Sequence, residues 1–510
     1  MAEASLSCAV ASEAETERLA EAMAAVLAPG DIVTLTGDLG AGKSVFARGA
    51  IRWFAADPER EVASPTFSLV QVHDDLPVPV AHADFYRLED PDEAAELGLD
   101  EIAETAIVFV EWPDRGRLPK PPEFSVAIQA APGDARSIVI TAGFDAAGRL
   151  ERMRAVRDFL AGAGYAATPR LRLQGDASTR RYERLVATPP LILMDSPRQP
   201  DGPPVHDGLP YSRLAHLAEE ILPFVAVGQW LAGIGLAVPE IGAFDLDKGL
   251  AVLSDLGAEP VVDADRAPVE ARYAASLDCL AVLHRHAAPR SFDVDGRTHT
   301  LPAYDTDVCL TEVSLFADWF APAAFAGFSA EDRAAFMEAW SAVLTSLDVP
   351  RPVLVLRDFH SPNLIWRDER TGTDRVGIID FQDALCGHPA YDVVSLCQDA
   401  RVTVSAALEA RLLGHYRSVS PIETGAGFDG AYAVLGAQRA TKILGIFVRL
   451  SRRDGKHGYL RHLPRMADYL GRNLEHPALG PVREILEAQS GGTVRAGLQS
   501  LSEQIISEAR

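Results

Sequence analysis

Hydrophobic and polar positions follow two rhythms along this chain. Between Asp31 and about Phe144, short apolar runs at 32–35, 67–72, 80–83, 107–110, 125–128 and 138–141 alternate with helically spaced stretches and turn residues. That alternation predicts an α/β domain, a mainly parallel sheet covered by helices. A turn follows at 143–148, then a helical pattern over 150–163 with Arg and Glu on its polar face. Beyond it, strand-like runs at 170–174, 191–195 and 252–257 give way to long helical patterns over 268–287 and 329–347. A change from strands to helices within one stretch predicts a two-lobed α+β domain. We therefore expect domains at 1–147 and 148–490, a tail at 491–510, and no long linker between the two domains.

Length agrees with this division, since 510 residues exceed what one core serves and domains run to about 100 to 200 residues. With 48% hydrophobic and 24% charged residues and no apolar run long enough for a bilayer, no membrane partner is expected. Glu13, Glu15, Glu17 and Glu21 make the first residues unlike a basic leader, which points to a cytoplasmic protein. The five cysteines lack metal-ligand spacing, so neither a zinc site nor a disulfide framework is expected. A net charge of -24 repels phosphate backbones, so any RNA would have to be presented by a partner.

Two stretches carry phosphate chemistry. The first is Gly37-Asp38-Leu39-Gly40-Ala41-Gly42-Lys43-Ser44, between a predicted strand and a predicted helix. Glycines there let backbone N–H groups curl around phosphates, Lys43 reaches the terminal ones, and the Ser44 hydroxyl is a magnesium ligand. Asp84 and Glu111 end two apolar runs and offer carboxylates for the metal and the hydrolytic water, although surface acids would fit the same pattern. Ser64-Pro65-Thr66-Phe67 suits either a phosphate-sensing switch or a plain turn.

These pieces, with His82-Ala83-Asp84-Phe85-Tyr86-Arg87-Leu88 and Val110-Glu111-Trp112-Pro113, occur in the order of the TsaE family, which residues 5–145 resemble. The resemblance implies a small ATPase of tRNA threonylcarbamoyladenosine biosynthesis, working with partner proteins that transfer the threonylcarbamoyl group. It implies Lys43 and Ser44 at the phosphates and magnesium, Asp84 and Glu111 around metal and water, and Trp112 beside the site. Ser44 stands where Thr is more usual and keeps the ligating hydroxyl.

The second stretch is Asp358-Phe359-His360-Ser361-Pro362-Asn363, followed by Asp380-Phe381-Gln382-Asp383. Asp358 suits a base for an attacking hydroxyl, and Asn363 and Asp380 suit magnesium on ATP. The polar loop holding Ser178, Thr179 and Arg180 is either a cover for nucleotide phosphates or a hairpin turn. Glu312, Trp319 and Phe320 share one helical stretch and offer a sugar acceptor and aromatic faces, with core packing as the alternative for the rings.

From residue 151 to about 485 the chain resembles the aminoglycoside phosphotransferase superfamily, and within it the branch that phosphorylates the anomeric hydroxyl of N-acetylmuramate and N-acetylglucosamine. The pieces that match are 175–182, 194–197, Asp358 to Asn363, Asp380 to Asp383, Tyr391-Asp392 and Gln438-Arg439-Ala440-Thr441-Lys442-Ile443-Leu444-Gly445. Leu356-Arg357 replaces the His-Gly often found before the base, and Met194 lies where a phosphate-pairing Lys is expected, leaving Arg180 or Arg181 as substitute cations. The expectation is a bifunctional enzyme using ATP and magnesium. The alternatives are a kinase for another hydroxyl compound, such as an aminoglycoside or choline-like alcohol, or a non-catalytic regulatory half.

Overall fold

A computed structural model describes residues 4–173, 180–490 and 494–508. The chain divides into two compact units, Met1–Pro197 with Gly242–Asp255, and Arg198–Ile241 with Leu256–Arg510.

The first unit opens with β1 (Ala4–Val10) and α1 (Glu13–Ala24), whose Ser12 cap accepts a hydrogen bond from the Glu15 amide. There follow β2 (Ile32–Thr36), α2 (Lys43–Ala55), β3 (Val70–His73), β4 (Val80–Asp84), α3 (Leu99–Thr105), β5 (Ile107–Glu111), β6 (Phe124–Ala130), β7 (Arg136–Ala142) and α4 (Ala147–Gly162). The sheet order is β1-β7-β6-β2-β5-β4-β3. Strands β6, β2, β5 and β4 run parallel at its centre, and β4 and β5 are buried along their whole length, as strands covered on both faces must be.

The sheet is mixed rather than mainly parallel. β3 and β7 pair antiparallel with β4 and β6 because their connections are too short for a crossover, and β1 pairs antiparallel with β7. Sequence reasoning found no strand at β1, whose side chains are only partly covered at the sheet edge. The run at 67–72 begins as a strand only at Val70: Leu69 has φ 62°, and its amide donates to the Pro65 carbonyl at 2.7 Å to close a turn.

The same unit holds a five-stranded antiparallel sheet of β8 (Arg170–Leu173), β9 (Arg181–Leu185), β10 (Leu191–Asp195) and the strands Ile241–Asp245 and Leu250–Ser254. Helix α4 serves both sheets. Its Leu150 and Met153 enter the first core, while Val156, Phe159 and Leu160 pack with Leu185, Leu193 and Val252. A buried polar tie joins α2 to the small sheet: the Trp53 indole donates to Glu183 on β9 at 3.0 Å, and Glu183 pairs with Arg170 on β8 at 2.9 Å. The Arg170 amide donates to Glu21 at 3.0 Å, and burial raises that carboxyl to about 7 despite this bond. Compactness therefore groups α4 and the small sheet with the first domain, whereas the sequence placed a boundary near residue 148.

The second unit is mainly helical. Its longest helix, Ala426–Asp454, packs on Thr306–Leu315 and on the π-helical turn Phe316–Phe320. Helices Glu270–Leu283 and Ala330–Thr345 lie within the two predicted helical stretches. Two short hairpin-like pairs, Val353–Val355 with Leu385–Gly387 and Leu364–Trp366 with Val376–Ile378, carry the second motif set. The expected tail is instead a packed helix, Val494–Glu508, with Leu498, Ser502 and Ile505 buried; its apolar side chains fall on one face. Among the described residues no helix is long and apolar enough to cross a membrane.

Candidate active sites

The loop between β2 and α2 turns through glycines with positive φ: 144° at Gly37, 77° at Gly40 and 110° at Gly42. A Cβ at Gly37 would overlap the Ile128 carbonyl, so only glycine fits there. Asp38 and Ala41 sit inside the turn, and Arg136 holds it by donating to the Ala41 carbonyl at 2.9 Å. Lys43 begins α2. Its ammonium donates to the Gly37 and Asp38 carbonyls at 2.9 and 3.0 Å and lies 3.9 Å from the Trp112 ring centre. Burial lowers its pKa, opposed by Glu111, Asp84 and Asp38.

Parallel pairing of β4 with β5 sets Asp84 opposite Glu111. Glu111 Oε1 accepts from the Ser44 hydroxyl at 2.7 Å and from His82 Nε2 at 2.9 Å, and Asp84 accepts from the Tyr86 amide at 2.9 Å. Ser64 bridges Ser44 and Thr66 at 3.4 and 2.9 Å. The geometry thus gathers Lys43, Ser44, Asp84 and Glu111 at one end of the sheet. Two carboxylates and a hydroxyl form a hard oxygen set of the kind magnesium takes when phosphates and water complete its shell. Among the described residues no cluster of three acidic, His or Cys side chains suits a metal, and magnesium held partly by substrate needs none.

In the second unit, Asp392 accepts from the Leu356 and Arg357 amides at 2.7 and 2.9 Å and so anchors the loop that carries Asp358. Burial raises its carboxyl to about 7, offset in part by those two amides. Arg357 is held at φ 70° and Asp380 at φ 61°, sparsely populated backbone states for side chains of their size. The Asn363 amide donates to the Asp358 carbonyl at 3.0 Å and approaches Asp380 Oδ2 at 3.4 Å, while Gln382 donates to Asp380 Oδ1 at 2.9 Å. Asp358, Asn363 and Asp380 are thereby linked through one short hydrogen-bond chain. Asn363 and Asp380 again make an all-oxygen set suited to magnesium on phosphates.

Comparison with known proteins decides the family. The phosphotransferase enzyme family model matches residues 170–428, about half of the chain. The chain belongs to the phosphotransferase enzyme family. Ahead of this phosphotransferase domain it carries a TsaE domain: the model of the threonylcarbamoyl adenosine biosynthesis protein TsaE matches residues 10–138. An N-acetylmuramate/N-acetylglucosamine kinase of Caulobacter vibrioides is 37% identical over 348 residues, 65% of this chain and 95% of the relative. A kinase of the same name from Pseudomonas putida is 32% identical over 331 residues, 62% of this chain and 87% of the relative. For the TsaE domain, a tRNA threonylcarbamoyladenosine biosynthesis protein TsaE of Rickettsia conorii is 39% identical over 126 residues, 24% of this chain and 71% of the relative. The protein is an enzyme that joins a P-loop ATPase domain to a phosphotransferase domain.

Of the expected site residues of the phosphotransferase domain, Glu312 sits differently from the sequence reading. Ser178 and Thr179 lie outside the described residues. Arg180 is half-buried just before β9, and Arg181 donates to the Ala25 carbonyl at 3.1 Å, a main-chain acceptor on the TsaE side. Met194 is buried in β10. Glu312, expected to meet the sugar, is corrected to a buried hub. It has no exposed surface, and both oxygens are occupied: Tyr304 and Gln438 donate to Oε2 at 2.6 and 2.8 Å, and Lys442 and Arg357 donate to Oε1. Burial would raise this carboxyl, but Lys442 and Arg357 outweigh it and hold it low. Phe320 is core, stacked on Phe316 at 4.8 Å. Sequence reasoning missed His82, Arg357 and Gln382 as site residues. His82 and Gln382 lie inside named motifs, and the partner of Gln382, Asp380, is two residues away, whereas Glu111 and Glu312, the partners of His82 and Arg357, lie elsewhere in the chain.

Proposed function

We propose that the phosphotransferase domain moves the terminal phosphoryl of ATP to the anomeric hydroxyl of N-acetylmuramate or N-acetylglucosamine. We propose further that the TsaE domain hydrolyses ATP in support of threonylcarbamoyl transfer to tRNA, with partner proteins holding the RNA and both reactions taking place in the cytoplasm. The observation that carries the kinase reading is the linked set Asp358, Asn363 and Asp380, lying inside the stretch 170–428 that the phosphotransferase enzyme family model matches, in a chain 37% identical over 348 residues to the Caulobacter kinase. The TsaE reading rests on the Lys43, Ser44 and Glu111 geometry together with the family match.

In this account Asp358 accepts the proton of the attacking sugar hydroxyl. The sugar oxygen bonds to the terminal phosphorus as the bridging bond breaks, and ADP departs with the bond pair. Asn363 and Asp380 would hold magnesium, which supplies charge neutralisation on the phosphates. In the TsaE domain Lys43 and Ser44 serve the phosphates, and Asp84 and Glu111 serve metal and water. The division into ATPase residues 1–147 and kinase residues 148–490 belongs to the same proposal.

The test incubates the full chain with magnesium, ATP and each free sugar, then locates the new phosphate by phosphorus NMR. The expected product is a sugar 1-phosphate, and methyl glycosides, whose anomeric oxygen is blocked, are expected to stay unphosphorylated. Phosphate on a methyl glycoside, or only on a non-sugar alcohol, would replace this reading with a kinase for another hydroxyl.

A further inference from the structure

Gln438, Lys442 and Gly445 fall on one face of helix Ala426–Asp454, four and seven residues apart, against helix Thr306–Leu315. A Cβ at Gly445 would collide with the Leu315 carbonyl and the Phe316 amide, so glycine lets the helices close. That approach brings Gln438 and Lys442 within hydrogen-bonding distance of the buried Glu312.

Lys442 differs from its neighbours in this cluster. Its side chain keeps 11% of its surface, against 0% for Glu312 and 1% for Arg357. The ammonium has three N–H donors, and its one acceptor among the described residues is Glu312 Oε1 at 2.6 Å. A single carboxylate, Glu312, is shared by two cations here, Arg357 and Lys442, and Asp383 is a further acid within electrostatic reach of Arg357. Asp358 is the next acid within electrostatic reach of Lys442. Tyr211 feels the same Asp358, and its ring lies 5.2 Å from the Arg449 guanidinium. The candidate base is therefore surrounded by both signs of charge, Arg357, Lys442 and Arg449 against Glu312, Asp383 and Asp392, and Lys442 is the cation whose donors are least used.

A buried cation with unused donors is costly until lone pairs or negative charge meet it. Sugar hydroxyls supply lone pairs, and a carboxylate supplies charge as well, which roughly doubles the strength of the bond. We propose that Lys442 is a specificity-determining residue that binds the carboxylate of an acidic amino sugar while its anomeric hydroxyl faces Asp358. This rests on the sugar-kinase reading above. Glu312 acts as a positioning residue that aims the ammonium, and Arg357 ties the cluster to the catalytic loop by donating to Glu312 and to the Ala215 carbonyl at 2.9 Å.

The test is steady-state kinetics of the full chain with N-acetylmuramate, which carries a carboxylate, and N-acetylglucosamine, which does not. Lys442→Met is expected to raise KM for N-acetylmuramate about 10- to 100-fold, and to change KM for ATP and for N-acetylglucosamine less than about threefold. Lys442→Arg is expected to recover part of the preference for the acidic sugar. Equal loss with both sugars, or no loss with either, overturns the proposal. The wild-type chain gives a second arm that needs no variant to fold: the carboxylate methyl ester of N-acetylmuramate should show a similar rise in KM, and an unchanged KM also overturns the proposal. Failure of the wild type to phosphorylate either sugar is a separate result, one that removes the sugar-kinase reading and this proposal together.

Discussion

The two phosphate sites are built by opposite means. Around Lys43 the main chain does most of the work: glycines at positive φ, one helix start and two strand ends hold the site within one sheet. Around Asp358 the side chains do it, with Asp392, Glu312 and Lys442 reaching in from distant stretches of the chain. A site made of backbone tolerates change everywhere except at its glycines and its few ligands. A site assembled from buried charges depends on each partner, because removing one leaves another unpaired in low dielectric.

The contrast gives graded expectations. Asp380→Asn removes a charged metal-side ligand and should lower sugar phosphorylation about 1000-fold, several kcal/mol in transition-state terms, while ATP hydrolysis by the TsaE domain is unchanged in a coupled ADP assay. Glu183→Ala leaves Arg170 buried without its carboxylate and should cost about 3 kcal/mol of stability in urea unfolding. Because α4 and this tie belong to both sheets of the first unit, the TsaE domain and the small sheet should lose stability together; separate transitions would break that picture.

A smaller effect is expected at the helix crossing. Gly445→Ala should cost about 2 kcal/mol and raise KM for N-acetylmuramate with little change for ATP, since the added methyl pushes the helix carrying Lys442 away from Glu312. The smallest effect is a pH dependence. The folded Glu21 carboxyl, raised to about 7 by burial, keeps its proton where the unfolded chain, at about 4.5, has lost it. Its contribution is complete below about pH 4.5 and disappears as pH rises through about 7. Glu21→Gln should therefore gain on the wild type across that window, by roughly 1 to 2 kcal/mol after discounting for partial exposure. A pH-independent difference between the two would contradict the assigned cause.

What could be read from sequence follows the same contrast. Gly37 to Ser44 is contiguous and sits between an apolar run and a helical pattern, so its place between a strand and a helix was legible. Asp358, Asn363 and Asp380 fall in two short motifs beside apolar runs, which made their proximity, though not their roles, legible. Glu312 was named from its helical stretch, but its place in a buried cluster was not visible there, because Arg357 lies 45 and Lys442 130 residues further along the chain. β1 was not read as a strand although its covered and exposed side chains alternate, and the helix within the expected tail was not foreseen because the partner of its apolar face lies in helix Leu463–Asn473. The sharing of α4 between two cores has no local signature, since one amphipathic pattern serves both.

The central claim is that two independent phosphate sites share this chain, and the most direct measurement assays both reactions in two variants of the full protein. Lys43→Ala should abolish ATP hydrolysis by the TsaE domain and leave sugar phosphorylation intact, and Asp358→Asn should do the reverse. Loss of both activities in either variant would contradict the account.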